Sequence, residues 1–197
     1  SLVGSEMCIR DRQRGAVETL RLLDSDAAVP GLSRVDAQVW RDRLSPQEVE
    51  RLSERLRTVE NGGFATLVPG DVEWPRALDV LGERAPYVLF VRGATSFLAR
   101  PLEDLVTVTG ARASTSYGER VASNLAGDLA SRERLLVAGG AFGVEGAVHR
   151  GALAAGGDTI AVLAGSVDRL YPRGHHDLLN QVADVGAPVS YTHLTLP

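Results

Sequence analysis

Between Leu105 and Pro172 the chain three times runs a short, apolar, β-rich stretch into glycine and small residues, and each of the first two leads on into a helical pattern. Apolar runs of this length, alternating with helices, are the signature of strands buried in a parallel sheet and joined by crossover helices. The segment therefore predicts a βαβαβ unit. Strands are predicted at Leu105–Thr109, Leu135–Ala138 and Thr159–Leu163, and helices from Ser116 and over about Val144–Ala155. In a parallel sheet all strands end at one edge, so the loops Gly110-Ala111-Arg112, Gly139-Gly140-Ala141-Phe142-Gly143 and Ala164-Gly165-Ser166 should share a crevice there.

The two helices carry their own signals. Ser116 and Glu119 have the S-x-x-E spacing of a capping box. Val121, Leu125 and Leu129, flanked by Ala122, Ala126 and Ala130, predict the face that packs on the sheet.

Glycine lets a ligand approach the main chain, and helix N-termini present free N–H groups with partial positive charge. Gly110, Arg112, Gly139, Gly140, Gly143, Gly165 and Ser166 are thus candidate phosphate-binding residues, with Arg112 supplying the charge. Each glycine alone would be read as a tight turn; three glycine loops at matching strand ends favour a site. Phe142 offers a stacking surface. Glu145 and His149 stand four apart on the second helix, where they suggest an acid/base pair; a hydrogen bond from His149 that holds the glycine loop is the preferred reading. His175-His176 precede a helical run, Asp177–Ala183, with no carboxylate and histidine set at tetrahedral spacing, so no metal site is expected.

Five segments in order resemble the DNA-processing protein family (DprA, also called Smf). They are Val68-Pro69-Gly70-Asp71-Val72-Glu73-Trp74-Pro75; Pro86-Tyr87-Val88-Leu89-Phe90-Val91-Arg92-Gly93; Gly110-Ala111-Arg112; Ala138 to Glu145 with His149; and Ala161 to Asp168 with Tyr171-Pro172. The resemblance covers roughly Gly63 to Ala187. It implies a Rossmann-like three-layer α/β/α fold with a mostly parallel sheet, preceded by a small helical N-terminal domain. It also implies a homodimer that binds single-stranded DNA and hands it to the recombinase RecA during natural transformation, without catalysis or cofactor. Glu145, His149 and Asp168 would support the DNA-binding loops. Three residues depart from the family pattern: Ala138 for serine, Glu145 for aspartate and Ser166 for glycine. Phe142 stands where many relatives carry a basic residue, trading Coulomb attraction for stacking.

Composition narrows the class. The 197 residues have a net charge of −4 and are 44% hydrophobic, enough for a core but too acidic to coat nucleic acid by bulk electrostatics. Every basic residue is arginine. A single cysteine, Cys8, excludes a disulfide framework and a cysteine metal site, and no run is apolar enough to cross a bilayer. A soluble, cytoplasmic protein is expected.

Residues 1–12 and 189–197 resemble translated adapter sequence and are set apart from the fold, which removes Cys8 and His193 from consideration. Residues 13–61 read as a partial helical domain and 62–188 as the nucleotide- and DNA-binding domain. Short helices are predicted at Ala16–Asp24 and Ser33–Arg43 around a Val29-Pro30-Gly31 turn. Ser45-Pro46-Gln47-Glu48 opens a better-defined helix with the stripe Val49, Leu52, Leu56 and Val59, stopped at Asn61-Gly62-Gly63. Its interleaved arginines and glutamates read as a solvated face. Strands follow at Phe64–Val68 and Tyr87–Val91, and Trp74 is read as a core anchor.

Two other functions compete. The sheet pattern also resembles phosphoribohydrolases that split nucleoside monophosphates, but their Pro-Gly-Gly-x-Gly-Thr-x-x-Glu run is absent and only Glu145 is comparable. A nucleotide sensor without turnover is the second. A dinucleotide oxidoreductase lacks its G-x-G-x-x-G, and no Walker A run supports ATP hydrolysis.

Overall fold

The computed structural model describes residues 21–22, 25, 28–29, 33–43, 45–86 and 88–192. The predicted Ala16–Asp24 helix and the Val29-Pro30-Gly31 turn fall largely outside these, as do Cys8, Tyr87 and His193.

Two helices lead in. Helix α1 (Arg34–Arg43) is capped by Ser33, whose hydroxyl accepts from the Asp36 N–H at 3.1 Å and donates to the Asp36 carboxylate at 2.6 Å. Helix α2 (Pro46–Asn61) begins at the predicted proline and stops at the glycine pair. Glu50, Arg51, Glu54 and Arg57 are exposed, as a solvated face requires. The side chains of Val49, Leu52, Leu56 and Val59 lie outside the described set.

The remainder is a mixed α/β sheet of six strands: β1 (Phe64–Leu67), β2 (Val88–Arg92), β3 (Leu105–Thr107), β4 (Leu135–Gly139), β5 (Thr159–Leu163) and β6 (Ala187–Thr192), in the order β1-β2-β6-β5-β4-β3. Strands β3 to β6 are parallel; β2 runs antiparallel to β6 and to β1. Helices α3 (Ser116–Ala130), α4 (Val144–Ala154) and α5 (His176–Val185) make the crossovers. Successive strands step the same way across the sheet, so right-handed crossovers put all three helices on one face.

Strand alternation divides the core accordingly. Leu136, Ala138, Ala161 and Leu163 pack under the three helices. Leu89, Val91, Leu135, Ile160 and Val189 point to the other face, where Trp74, Leu78, Phe97 and Leu98 meet them. The covering elements there are 3-10 helices, Arg76–Arg84 and Thr95–Ala99, rather than α-helices. Trp74 is buried as expected, with its indole N–H 3.1 Å from Asp79 Oδ1.

Strand β6 runs four residues past the boundary drawn at Pro188. Val189 pairs with Val162 on one side and Val91 on the other, so residues 189–192 lie inside the sheet. Their likeness to adapter sequence set them apart, yet Ala-Pro-Val-Ser-Tyr-Thr has the β-branched and aromatic character that a strand accepts.

Helix α3 buries only part of the face predicted to pack on the sheet, with Leu129 packed against the core beside the alanines. Ala122, Ala126 and Ala130 are buried, whereas Val121 and Leu125 are 46% and 47% exposed. The reason is close approach to α4: a Cβ on Gly151 would lie 2.2 Å from the Ser123 carbonyl oxygen. At that separation only small side chains fit between the helices, so the alanine stripe turns inward. The cap also moves. Thr115, not Ser116, is the N-cap and accepts from Gly118 N–H at 3.1 Å, while Ser114 Oγ donates to Glu119 Oε1 at 2.9 Å.

Candidate functional site

Parallel register brings the carboxyl ends of three strands level, Thr107 pairing with Val137 and Gly139 with Val162. The loops beyond them, with the Tyr171-Pro172 segment, enclose a cleft of about 310 Å³. Arg112, Gly139, Gly140, Phe142, Glu145 and Gly165 line it. Gly110, Gly143, Ser166, His149 and Asp168 do not.

Those five occupy other places. Gly143 has φ +77°, and a Cβ there would lie 2.3 Å from the Ala111 carbonyl oxygen and 2.5 Å from that of Arg112. It seats the first loop directly on the start of α4, where Val144 N–H donates to Ala111 at 3.2 Å. Gly110 lies against the Val144 side chain in the same junction. Ser166 and Asp168 are exposed outside the cleft, on a segment anchored by buried Val167 and Leu170.

Glu145 straps two loops together. Its Oε1 accepts from the Thr109 hydroxyl and its Oε2 from the Ala141 N–H, both at 3.0 Å. The carboxylate belongs to the first turn of α4, where negative charge is favoured, and satisfies a donor of the loop that leads into the helix. It also occupies the N–H of Ala141, a residue that lines the cleft.

Two histidines grip the second loop from beneath. His149 is fully buried, with Nε2 2.9 Å from the Gly139 carbonyl oxygen and Nδ1 2.9 Å from Thr159 Oγ1. Burial is the main cause that lowers its pKa from 6.5 to about 4, against the opposing pull of the Gly139 hydrogen bond and the Glu145 charge. His175 does the same for the next residue: its buried ring places Nδ1 3.0 Å from the Gly140 carbonyl oxygen. That ring also meets Phe142 edge-on, centroids 4.5 Å apart at 62°. His176 points away into solvent, so the pair divides as adjacent residues at a helix start should.

The role of His175 was not visible in the sequence, because its partner lies 35 positions upstream. Tyr171, exposed at the cleft, belonged to a recognised motif without an assigned role.

Arg112 is exposed at the cleft, and no hydrogen bond or ion pair with a described residue holds its guanidinium. By contrast Arg134 pairs with Asp104 at 3.2 Å, Arg100 with Asp158 at 3.8 Å and Arg150 with Glu119 at 3.9 Å. Phe142 is 49% exposed. A second groove, of about 350 Å³, lies on the opposite face of the sheet, but its lining, including Leu78, Leu81, Val137 and Val189, is aliphatic throughout and presents no group to orient a polar ligand. Among the described residues no cluster of three or more histidine, cysteine or acidic side chains could hold a metal, and no helix is long and apolar enough to cross a membrane.

The model of one family, described as DNA recombination-mediator protein A, matches residues 65–195. A DprA-designated protein of Mycobacterium tuberculosis is 40% identical over 150 residues, covering 71% of this chain and 38% of its own length. The DNA processing protein DprA of Bacillus subtilis is 27% identical over 172 residues, 83% of this chain and 57% of its own. The chain thus spans less than two thirds of either relative. Among solved structures, DNA processing protein A from Streptococcus pneumoniae has the same fold, with TM-score 0.68 at 24% identity over 85% of this chain and 55% of that one. The Helicobacter pylori protein, whose structure is described for its unique single-stranded DNA binding mode, superposes with TM-score 0.56 at 31% identity over 68% of this chain and 58% of its own. With that model spanning more than half of its residues, the chain belongs to the DNA recombination-mediator protein A (DprA/Smf) family.

Proposed function

We propose that this chain binds single-stranded DNA at the cleft and acts as a recombination mediator in natural transformation, protecting incoming strands and passing them to RecA. The observation that carries the reading is Arg112, a guanidinium left without a partner among the described residues, in the lining of a cleft built from strand-end loops. A free guanidinium suits bidentate contact with a phosphate, and the half-exposed ring of Phe142 suits a stacked base. The H. pylori relative, described as binding single-stranded DNA, supports the same ligand here.

In this reading Arg112, Gly139, Gly140, Phe142 and Gly165 touch the strand; Gly110, Gly143, Glu145 and His149 hold the loops; Ser166 and Asp168 flank them. Residues 62–188 form the DNA-binding unit and 13–61 a helical appendage. The protein works in the cytoplasm, as a homodimer and without turnover.

Fluorescence anisotropy with labelled single-stranded and duplex oligonucleotides tests it. Tighter binding of the single strand is expected, with no adenine released from AMP; equal affinity for both forms, or release of adenine, would overturn it.

A further inference from the structure

We infer that Glu145 selects among nucleobases: the floor of the cleft takes a base that presents an exocyclic amino group, while the strand's phosphate stays at the rim with Arg112. The inference rests on the single-strand reading above.

The cleft is not built to swallow a phosphate. The Glu145 carboxylate lines it, fixed by Thr109 and Ala141, and no cation of the described residues pairs with that carboxylate across the cleft. A phosphate moved inward would meet a like charge and would find the Ala141 amide already committed. The walls are Phe142, Val162, Leu163 and Ala164, which suit a flat, neutral ring. A volume of about 310 Å³ is ample for one base and its sugar.

The hydrogen-bond inventory then decides which ring. Each carboxylate oxygen of Glu145 accepts one protein hydrogen bond and keeps a lone pair. The carboxylate is acceptor-only, so a base edge facing it must donate. Cytosine offers its N4 amino group there, whereas uracil offers the O4 carbonyl, and its one donor on that edge, N3–H, is flanked by two carbonyls that repel a carboxylate.

Oligo-dC and oligo-dU of equal length isolate that edge, because they differ only at C4 and N3: an amino group beside an acceptor nitrogen in cytosine, a carbonyl beside an N–H in uracil. Titrated near neutral pH against the intact chain, oligo-dC should bind about fivefold or more tightly. Glu145→Gln, which replaces one acceptor oxygen with a donor, should abolish or invert that ratio. Equal affinities for the two oligonucleotides, or a Glu145→Gln variant that tightens both alike, would overturn the inference and leave the carboxylate as a repulsive charge only. The wild-type comparison stands even where the variant folds poorly. Failure of either strand to bind would instead remove the single-strand reading, and this inference with it.

Discussion

The ring of His149 and the carbonyl of Gly139 are joined at 2.9 Å through Nε2, at the first residue of the loop that floors the cleft. A carbonyl only accepts, so Nε2 carries the proton, and the neutral ring must then accept at Nδ1 from the Thr159 hydroxyl 2.9 Å away. That hydroxyl also lies 3.0 Å from the Leu136 carbonyl oxygen, so one proton serves two acceptors.

This arrangement makes stability depend on pH. The folded His149 has its pKa lowered to about 4, whereas the unfolded chain takes up the proton near 6.5. The stabilising contribution is therefore complete above about pH 6.5 and is lost as pH falls from 6.5 toward 4, by up to about 3 kcal/mol. Urea denaturation across that window should show the decline, and His149→Gln should flatten it. Identical pH profiles for the two proteins would mean the ring is not held neutral.

His175 should matter separately. Its loss strands the Gly140 carbonyl and removes the ring beneath Phe142. His175→Ala is expected to lower unfolding free energy by about 1–3 kcal/mol, with partial recovery in His175→Asn, whose amide nitrogen can take the place of Nδ1. Equal losses in the two variants would reduce the role of His175 to filling space.

The α3–α4 contact predicts a backbone clash. In Gly151→Ala the added methyl would sit 2.2 Å from the Ser123 carbonyl oxygen, so the helices must separate. Destabilisation of about 1–3 kcal/mol is expected in thermal or urea unfolding. An unchanged midpoint would contradict the packing described.

Much of this was legible in advance, for stated physical reasons. Strands β3 to β5 and their glycine loops announce themselves because buried parallel strands are short and continuously apolar. Thr159–Leu163 is a strand over the residues predicted, and Arg112, Phe142 and Gly165 converge as parallel topology requires. What pattern could not supply was anything set by distant contacts. Val121 and Leu125 outrank alanine on hydrophobicity, but the proximity of Gly151 to Ser123 decides which stripe turns inward. Gly110 and Gly143 look like ligand glycines, and only distant contacts show that both also pack tightly in the junction between loops. Glu145 ties two loops together, as a support would, and also lines the cleft, which no spacing in the sequence could show.

Gly143→Ala should expose that junction. With φ +77° and two carbonyl oxygens within 2.5 Å of a new Cβ, the first loop must shift, carrying Arg112 with it. Single-strand affinity should fall severalfold while the sheet keeps its circular dichroism. Unaltered affinity would separate the loop junction from binding.

Arg112→Ala, titrated with oligo-dT over a range of salt concentrations, tests the central claim most directly. The side chain has no described protein partner, so the melting temperature should stay put. Affinity should drop severalfold, and the slope of log affinity against log salt should become shallower by about 0.7, the share of one phosphate contact on a single strand. Unchanged affinity and an unchanged slope would show that the strand does not meet this cleft through Arg112.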